Sequence, residues 1–210
     1  MTQPEQQKKS VVIRTICVHL WPINHPQNHP RNHPRNEPMI DYQFPLALSD
    51  IVGNERQLLT SYEDGQLMQG PDSVRFLVLH CSATRCDRDY TVAQLQRDHR
   101  ARGFRTVGYH FYIRKDGTLT QHRRLLEVGA HCRPYNRCSL GICYEGGLDP
   151  QGRPADTRTP AQRDRLRQLL GLLKELFPQA RIVGHRDLPG TTPKSCPCFD
   201  AAAEEANGWL

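Results

Sequence analysis

TPAQRDRLRQLLGLLKELFPQARIVGH, residues 159–185, is the stretch that decides the fold. Thr159 is a good helix cap, and Pro160 suits the first helical position, where no backbone donor is needed. Leu166, Leu169, Leu170, Leu173 and Phe177 then recur at helical spacing, which makes one apolar stripe facing a core. Pro178 stops the helix, because it fixes φ and removes a donor. Ala180, Arg181, Ile182 and Val183 follow as a short buried strand, which delivers the chain to His185. A strong helix feeding a strand within a few residues points to an α/β arrangement.

The same alternation runs upstream. Residues 74–80 (VRFLVLH) read as a buried strand ending in His80. Residues 91–100 read as a helix, with Thr91 as cap and Gly103 just beyond its end. Residues 109–114 form a strand, Asp116-Gly117 is a hairpin signal, and residues 119–122 return. Residues 139–146 form another strand, closed by Gly146 and Gly147, and residues 200–207 a terminal helix. The expected fold is α/β, with a mixed central sheet and helices on both faces.

Residues 1–70 are of a different character. A modest apolar run follows Lys8 and Lys9, but Arg14 and His19 interrupt it and no small-residue cleavage site follows, so it is a poor secretory signal. Next comes a repeat, Asn24-His25-Pro26, Asn28-His29-Pro30 and Asn32-His33-Pro34. Its prolines forbid a helix that would align the histidines, and the tract reads as disordered rather than metal-binding. Met39, just beyond it, is a candidate start. The expected division is an N-terminal extension over residues 1–70 and one domain over residues 71–210.

The chain carries a formal net charge of +6 and a pI near 9.0, which favours anionic partners such as nucleic acid, a cell-wall polymer or a membrane surface. No apolar run is long enough for a transmembrane helix. Eight cysteines in 210 residues are too sparse for a disulfide scaffold. Cys81 with Cys86, and Cys132 with Cys138, are close enough in sequence to pair; free buried thiols are the favoured reading.

Two expected strands deliver a histidine at their ends, His80 and His185. Between His185 and Asp200 the prolines at 189, 193 and 197 impose a stiff, extended loop that carries Lys194 and Cys196. Positions i and i+2 of extended chain share a side, which sets Lys194 beside Cys196. Two histidines and a cysteine are the three protein ligands of a catalytic zinc site with its fourth position open. No CxxC or HExxH motif is present, so spacing alone does not decide the matter. Cys198 competes with Cys196 for the role.

HCSAT (80–84), GYHF (108–111), VGAH (128–131), SLGIC (139–143) and KSCP (194–197) occur in this order. Together they resemble the zinc-dependent N-acetylmuramoyl-L-alanine amidases, in particular the lysozyme-like amidases of tailed phages, with the peptidoglycan recognition proteins as more distant relatives. The resemblance runs from about Val74 to Asp200. It implies a Zn2+ ion held by His80, His185 and Cys196, with Cys196 favoured over Cys198 by its place between Lys194 and Pro197. It also implies Tyr109 and Lys194 as the catalytic pair, and hydrolysis of the bond between N-acetylmuramic acid and L-alanine. Some relatives carry a Glu where Cys143 stands, so Tyr109 takes that part here, and Glu145 is a candidate helper base.

The pattern further suggests that His131 and Asn136 touch substrate; the bland alternatives are that His131 braces its loop and Asn136 caps a turn. His110 should pack in the core, Cys81 should turn into it, and His99 and His122 should lie on the surface. Peptidoglycan or muropeptides are the expected partners, with no nucleic acid required and a monomer favoured. The poor signal and free thiols favour cytoplasmic synthesis with action on the wall. The competing readings are a peptidoglycan-binding module without activity, against which Cys196 speaks, and a regulator that binds another protein.

Overall fold

The computed structural model describes residues 46–47, 49–51, 65–191 and 195–208. The Asn-His-Pro repeat, Met39 and the early apolar run lie outside these residues. At the centre is a five-stranded mixed sheet built around β1 (Phe76–Cys81). Its other strands are β3 (Phe111–Ile113), β4 (Leu119–Gln121), β5 (Ser139–Tyr144) and β7 (Arg181–Gly184), in the order β4-β3-β5-β1-β7. β5 and β7 flank β1 in parallel and β3 runs parallel to β5, whereas β4 turns back antiparallel to β3. Two short strands, β2 (Thr84–Arg85) and β6 (Gly147–Leu148), pair beside the main sheet.

Alternation along the strands sorts side chains into two layers. Leu77, Leu79 and Cys81 share one core with Leu140, Ile142, Tyr144 and Ile182. Into that core packs α2 (Pro160–Leu176), through Leu166, Leu169, Leu170 and Leu173. On the opposite layer Leu95 of α1 (Val92–Ala101) packs against Tyr112, Val107 and Cys143. Helices therefore cover both faces, as expected. A third helix, α3 (Ala201–Ala206), begins where Asp200 accepts a hydrogen bond from the Ala203 amide.

The helix starts follow from chemistry legible in the sequence. Thr159 accepts from the Gln162 amide while the Gln162 side chain accepts from the Thr159 amide, and Thr91 and Gln94 repeat the arrangement at α1. Gly117 takes φ 87° in the β3–β4 turn, a conformation that a side chain would strain.

The packed unit also draws on residues ahead of Pro71. Leu46, Ile51 and Met68 are buried in the core with α2. The Met68 amide donates to the Leu126 carbonyl at 2.8 Å, and the Val128 amide to that of Gln66 at 2.7 Å. Single apolar residues without periodicity gave no sign of this. His99 and His122, expected on the surface, are buried at 5% and 1% exposure. Cys81, Cys86, Cys132, Cys138, Cys143, Cys196 and Cys198 are all free of disulfides.

Leu173 is fully buried, so Leu173→Ala should cost about 2–5 kcal/mol by urea unfolding. Thr159→Ala, which removes only a cap, should cost about 1 kcal/mol. Equal costs would contradict this ordering.

Candidate metal centre and active site

The parallel register of β1 with β7 sets Leu79 opposite Gly184, so His80 and His185 follow on neighbouring strands at the same level. Both are buried, and their rings lie 4.7 Å apart. His185 opens a single 3-10 turn (His185–Asp187), so the loop begins curled and not extended. Asp187 accepts the Gly184 amide at 2.8 Å to close that turn. The chain then folds back, and the Arg186 amide donates to the Cys196 carbonyl at 3.0 Å. A Cβ on Gly184 would come within 2.7 Å of the Pro197 ring, so the close return needs glycine.

Cys196 Sγ lies 3.8 Å from His80 Nδ1 and receives the Cys81 amide N–H at 3.3 Å. One donor atom from each of His80, His185 and Cys196 falls within 4.8 Å of the other two. This nitrogen and sulfur set, with a backbone donor on the sulfur, suits a metal ion such as zinc. Cys198 is outside the group: its thiol donates to the Gly147 carbonyl at 3.2 Å and lies 3.7 Å from Cys81 Sγ. Lys194 lies outside the described residues.

Tyr109 stands on the other side of His80, with ring centroids 5.1 Å apart. Burial first, then the thiols of Cys143, Cys196 and Cys81, hold its phenol well above the usual value. It is therefore protonated and a hydrogen-bond donor at any working pH. It packs against the cluster that contains Cys143, which sits opposite both His80 and Tyr112 in register. His99 packs on the far side of Tyr109, with centroids 5.4 Å apart, and its Nδ1 accepts the Gly108 amide at 2.8 Å. Cys143 and His99 thus support Tyr109 from below. Neither role was legible in the sequence, since a strand cysteine and a helix histidine have many bland uses.

His131 turns its ring to His80, with Nδ1 at 3.1 Å from His80 Nε2. Asn136 Oδ1 accepts the amides of His131 and Cys132, at 3.0 and 2.8 Å, so this oxygen braces the loop. His110 is fully buried, taking the Gly141 amide on Nδ1 and meeting the Glu127 carbonyl through Nε2. Glu145 makes its contacts away from the His80, His185 and Cys196 group. It is buried beneath Arg114, whose Nε donates to it at 2.5 Å, and accepts the amides of Tyr90 and Lys115. That ion pair and those amides use up its oxygens, and no helper-base role remains for it.

Fold and site together define an α/β domain with a candidate catalytic metal centre at the end of two adjacent parallel strands. Residues 70–199 match the family model for N-acetylmuramoyl-L-alanine amidase, and the chain belongs to that family. It is 42% identical over 124 residues to an endolysin of Klebsiella phage KP32, covering 59% of this chain and 80% of the relative. It is 30% identical over 129 residues to a peptidoglycan-recognition protein of Drosophila melanogaster, covering 59% and 68%. Among solved structures, the endolysin amidase LysCS from Clostridium intestinale URNW superposes with a TM-score of 0.56 at 26% identity, over 70% of this chain and 90% of that one. The chain is accordingly an amidohydrolase of the peptidoglycan-degrading kind. No helix among the described residues is long and apolar enough to cross a membrane.

Burial lowers His99 to about 4, from a usual value of 6.5. Neutral His99 therefore contributes its stability in full above about pH 6.5 and loses it as pH falls toward 4, a change on the order of 2–3 kcal/mol. Thermal unfolding between pH 7 and 4 should show a steeper decline for the wild type than for His99→Asn, which keeps an acceptor for Gly108 but does not titrate. Parallel declines would contradict this.

Proposed function

We propose that this amidase works with a Zn2+ ion held by His80, His185 and Cys196, and that Tyr109 and Lys194 form its catalytic pair. The observation that carries the reading is the convergence of three donor atoms within 4.8 Å from strand, turn and returning loop. When bound, zinc supplies a Lewis acid and lowers the pKa of a water to about 7. The bond attacked is the amide joining the lactyl group of N-acetylmuramic acid to L-alanine. As that carbonyl becomes tetrahedral, negative charge gathers on its oxygen. The Tyr109 phenol, kept protonated by burial, is a fixed donor for that charge. The ammonium of Lys194 is the second donor, on the strength of its place two residues before Cys196. One such donor is typically worth about 3 kcal/mol.

His80 also keeps its outer nitrogen on a protein partner, which fixes the orientation of the ligating ring. Cys143 and His99 hold the Tyr109 ring so that the phenol does not have to be ordered at the moment of reaction. The substrate is peptidoglycan or its muropeptides, as the names of the endolysin and peptidoglycan-recognition relatives suggest.

The test is mass spectrometry of sacculi digested by the purified full chain, with and without a chelator. Free stem peptides beginning at L-alanine should appear with zinc and vanish with chelator. Cys196→Ala should lose zinc and at least about a hundredfold in rate. Tyr109→Phe should keep zinc while slowing turnover by about a hundredfold. Intact walls with zinc-loaded, folded wild type would overturn the proposal, as would full activity in Cys196→Ala.

A further inference from the structure

We infer that His131 is a positioning residue for the metal centre: it accepts a hydrogen bond from His80 and so holds the ligating ring with Nδ1 turned toward Cys196 and His185. The inference rests on the zinc reading above and adds to it the part that His131 and Asn136 play.

His80 presents two different nitrogens to two different neighbours. Nδ1 faces Cys196 Sγ at 3.8 Å, the ligand side, whereas Nε2 faces His131 Nδ1 at 3.1 Å. A neutral imidazole that uses Nδ1 as a ligand carries its proton on Nε2. With His80 ligating in this way, His80 is the donor in this pair and His131 Nδ1 the acceptor, which leaves the His131 proton on its own Nε2, a buried nitrogen that makes no hydrogen bond. Metal-binding histidines usually lean on a carboxylate, a backbone carbonyl or a water. Here the outer partner is a second imidazole, met nearly edge-on at an interplanar angle of 86°.

The position of that second imidazole is strongly determined. A Cβ on Gly141 would come within 2.5 Å of the His131 ring, and one on Gly129 would strike the same ring, so two glycines form the slot in which it lies. His110 closes the slot with a ring centroid 5.8 Å away. Asn136 fixes the backbone by taking the His131 and Cys132 amides on one oxygen. The sequence suggested substrate contact for His131 and Asn136. In the structure they also line up as successive supports of a candidate metal ligand, running Asn136 to His131 to His80.

The test uses the full chain, stripped of metal and titrated with Zn2+ against a chromophoric chelator. His131→Phe keeps the ring volume but removes the acceptor, and should raise the dissociation constant about 10- to 100-fold. His131→Asn places an amide oxygen near the lost Nδ1 and should bring the constant back close to the wild-type value. Long-range proton–nitrogen NMR of zinc-loaded wild type needs no variant. It should show His80 protonated on Nε2, and His131 protonated on Nε2 with Nδ1 bare. Unchanged affinity in a folded His131→Phe, or a proton on His131 Nδ1, would overturn the inference while leaving the zinc reading intact. Wild type that takes up no zinc would overturn both.

Discussion

The parallel pairing of β1 with β7 is the constraint on which the site depends. Because Leu79 lies opposite Gly184, the next residue on each strand is a histidine, and the two rings meet at the carboxyl end of the sheet. The buried face of β1 is anchored by Leu77 and Leu79 in the core beneath α2. A slip of one residue would move both leucines to the wrong layer and turn His80 into the core. Burial of that core thus fixes where the candidate ligands sit, and its own Cys81 reaches Cys196 through the backbone amide.

Around this pair the chain spends its irregular backbone. Gly184 lets the returning loop come close enough for the Arg186 amide to reach the Cys196 carbonyl. The Cys81 amide, at the end of β1, then points at the Cys196 sulfur. Gly129 and Gly141 open a slot for His131. These glycines act through the atoms they lack, and each borders a candidate ligand or a partner of one. The buried carboxylate of Glu145 serves the fold by pairing with Arg114 at the end of β3.

Much of this was readable in advance. The stripe on α2, the Thr caps, the Asp-Gly turn and the two histidines at strand ends are local signals, and the structure bears them out. Cys196 was separable from Cys198 only through the resemblance, and the donor geometry agrees with that choice. What the sequence hid depends on chain folding back over distance. His99 and His122 read as surface residues because a polar residue on a short helix or strand end is usually exposed. They are buried because residues around Tyr109 and Thr120 close over them. Leu46, Ile51 and Met68 lacked any period that would assign them to the core. The prolines near His185 suggested extension, whereas Asp187 curls the first turn by capping Gly184.

The central claim is that His80, His185 and Cys196 hold one zinc ion. Zinc-edge X-ray absorption of the metal-loaded full chain tests it most directly. The account predicts one sulfur at about 2.3 Å and two imidazole nitrogens at about 2.0–2.1 Å, with one further light atom completing the shell. A first shell without sulfur, or with two sulfurs, would contradict it.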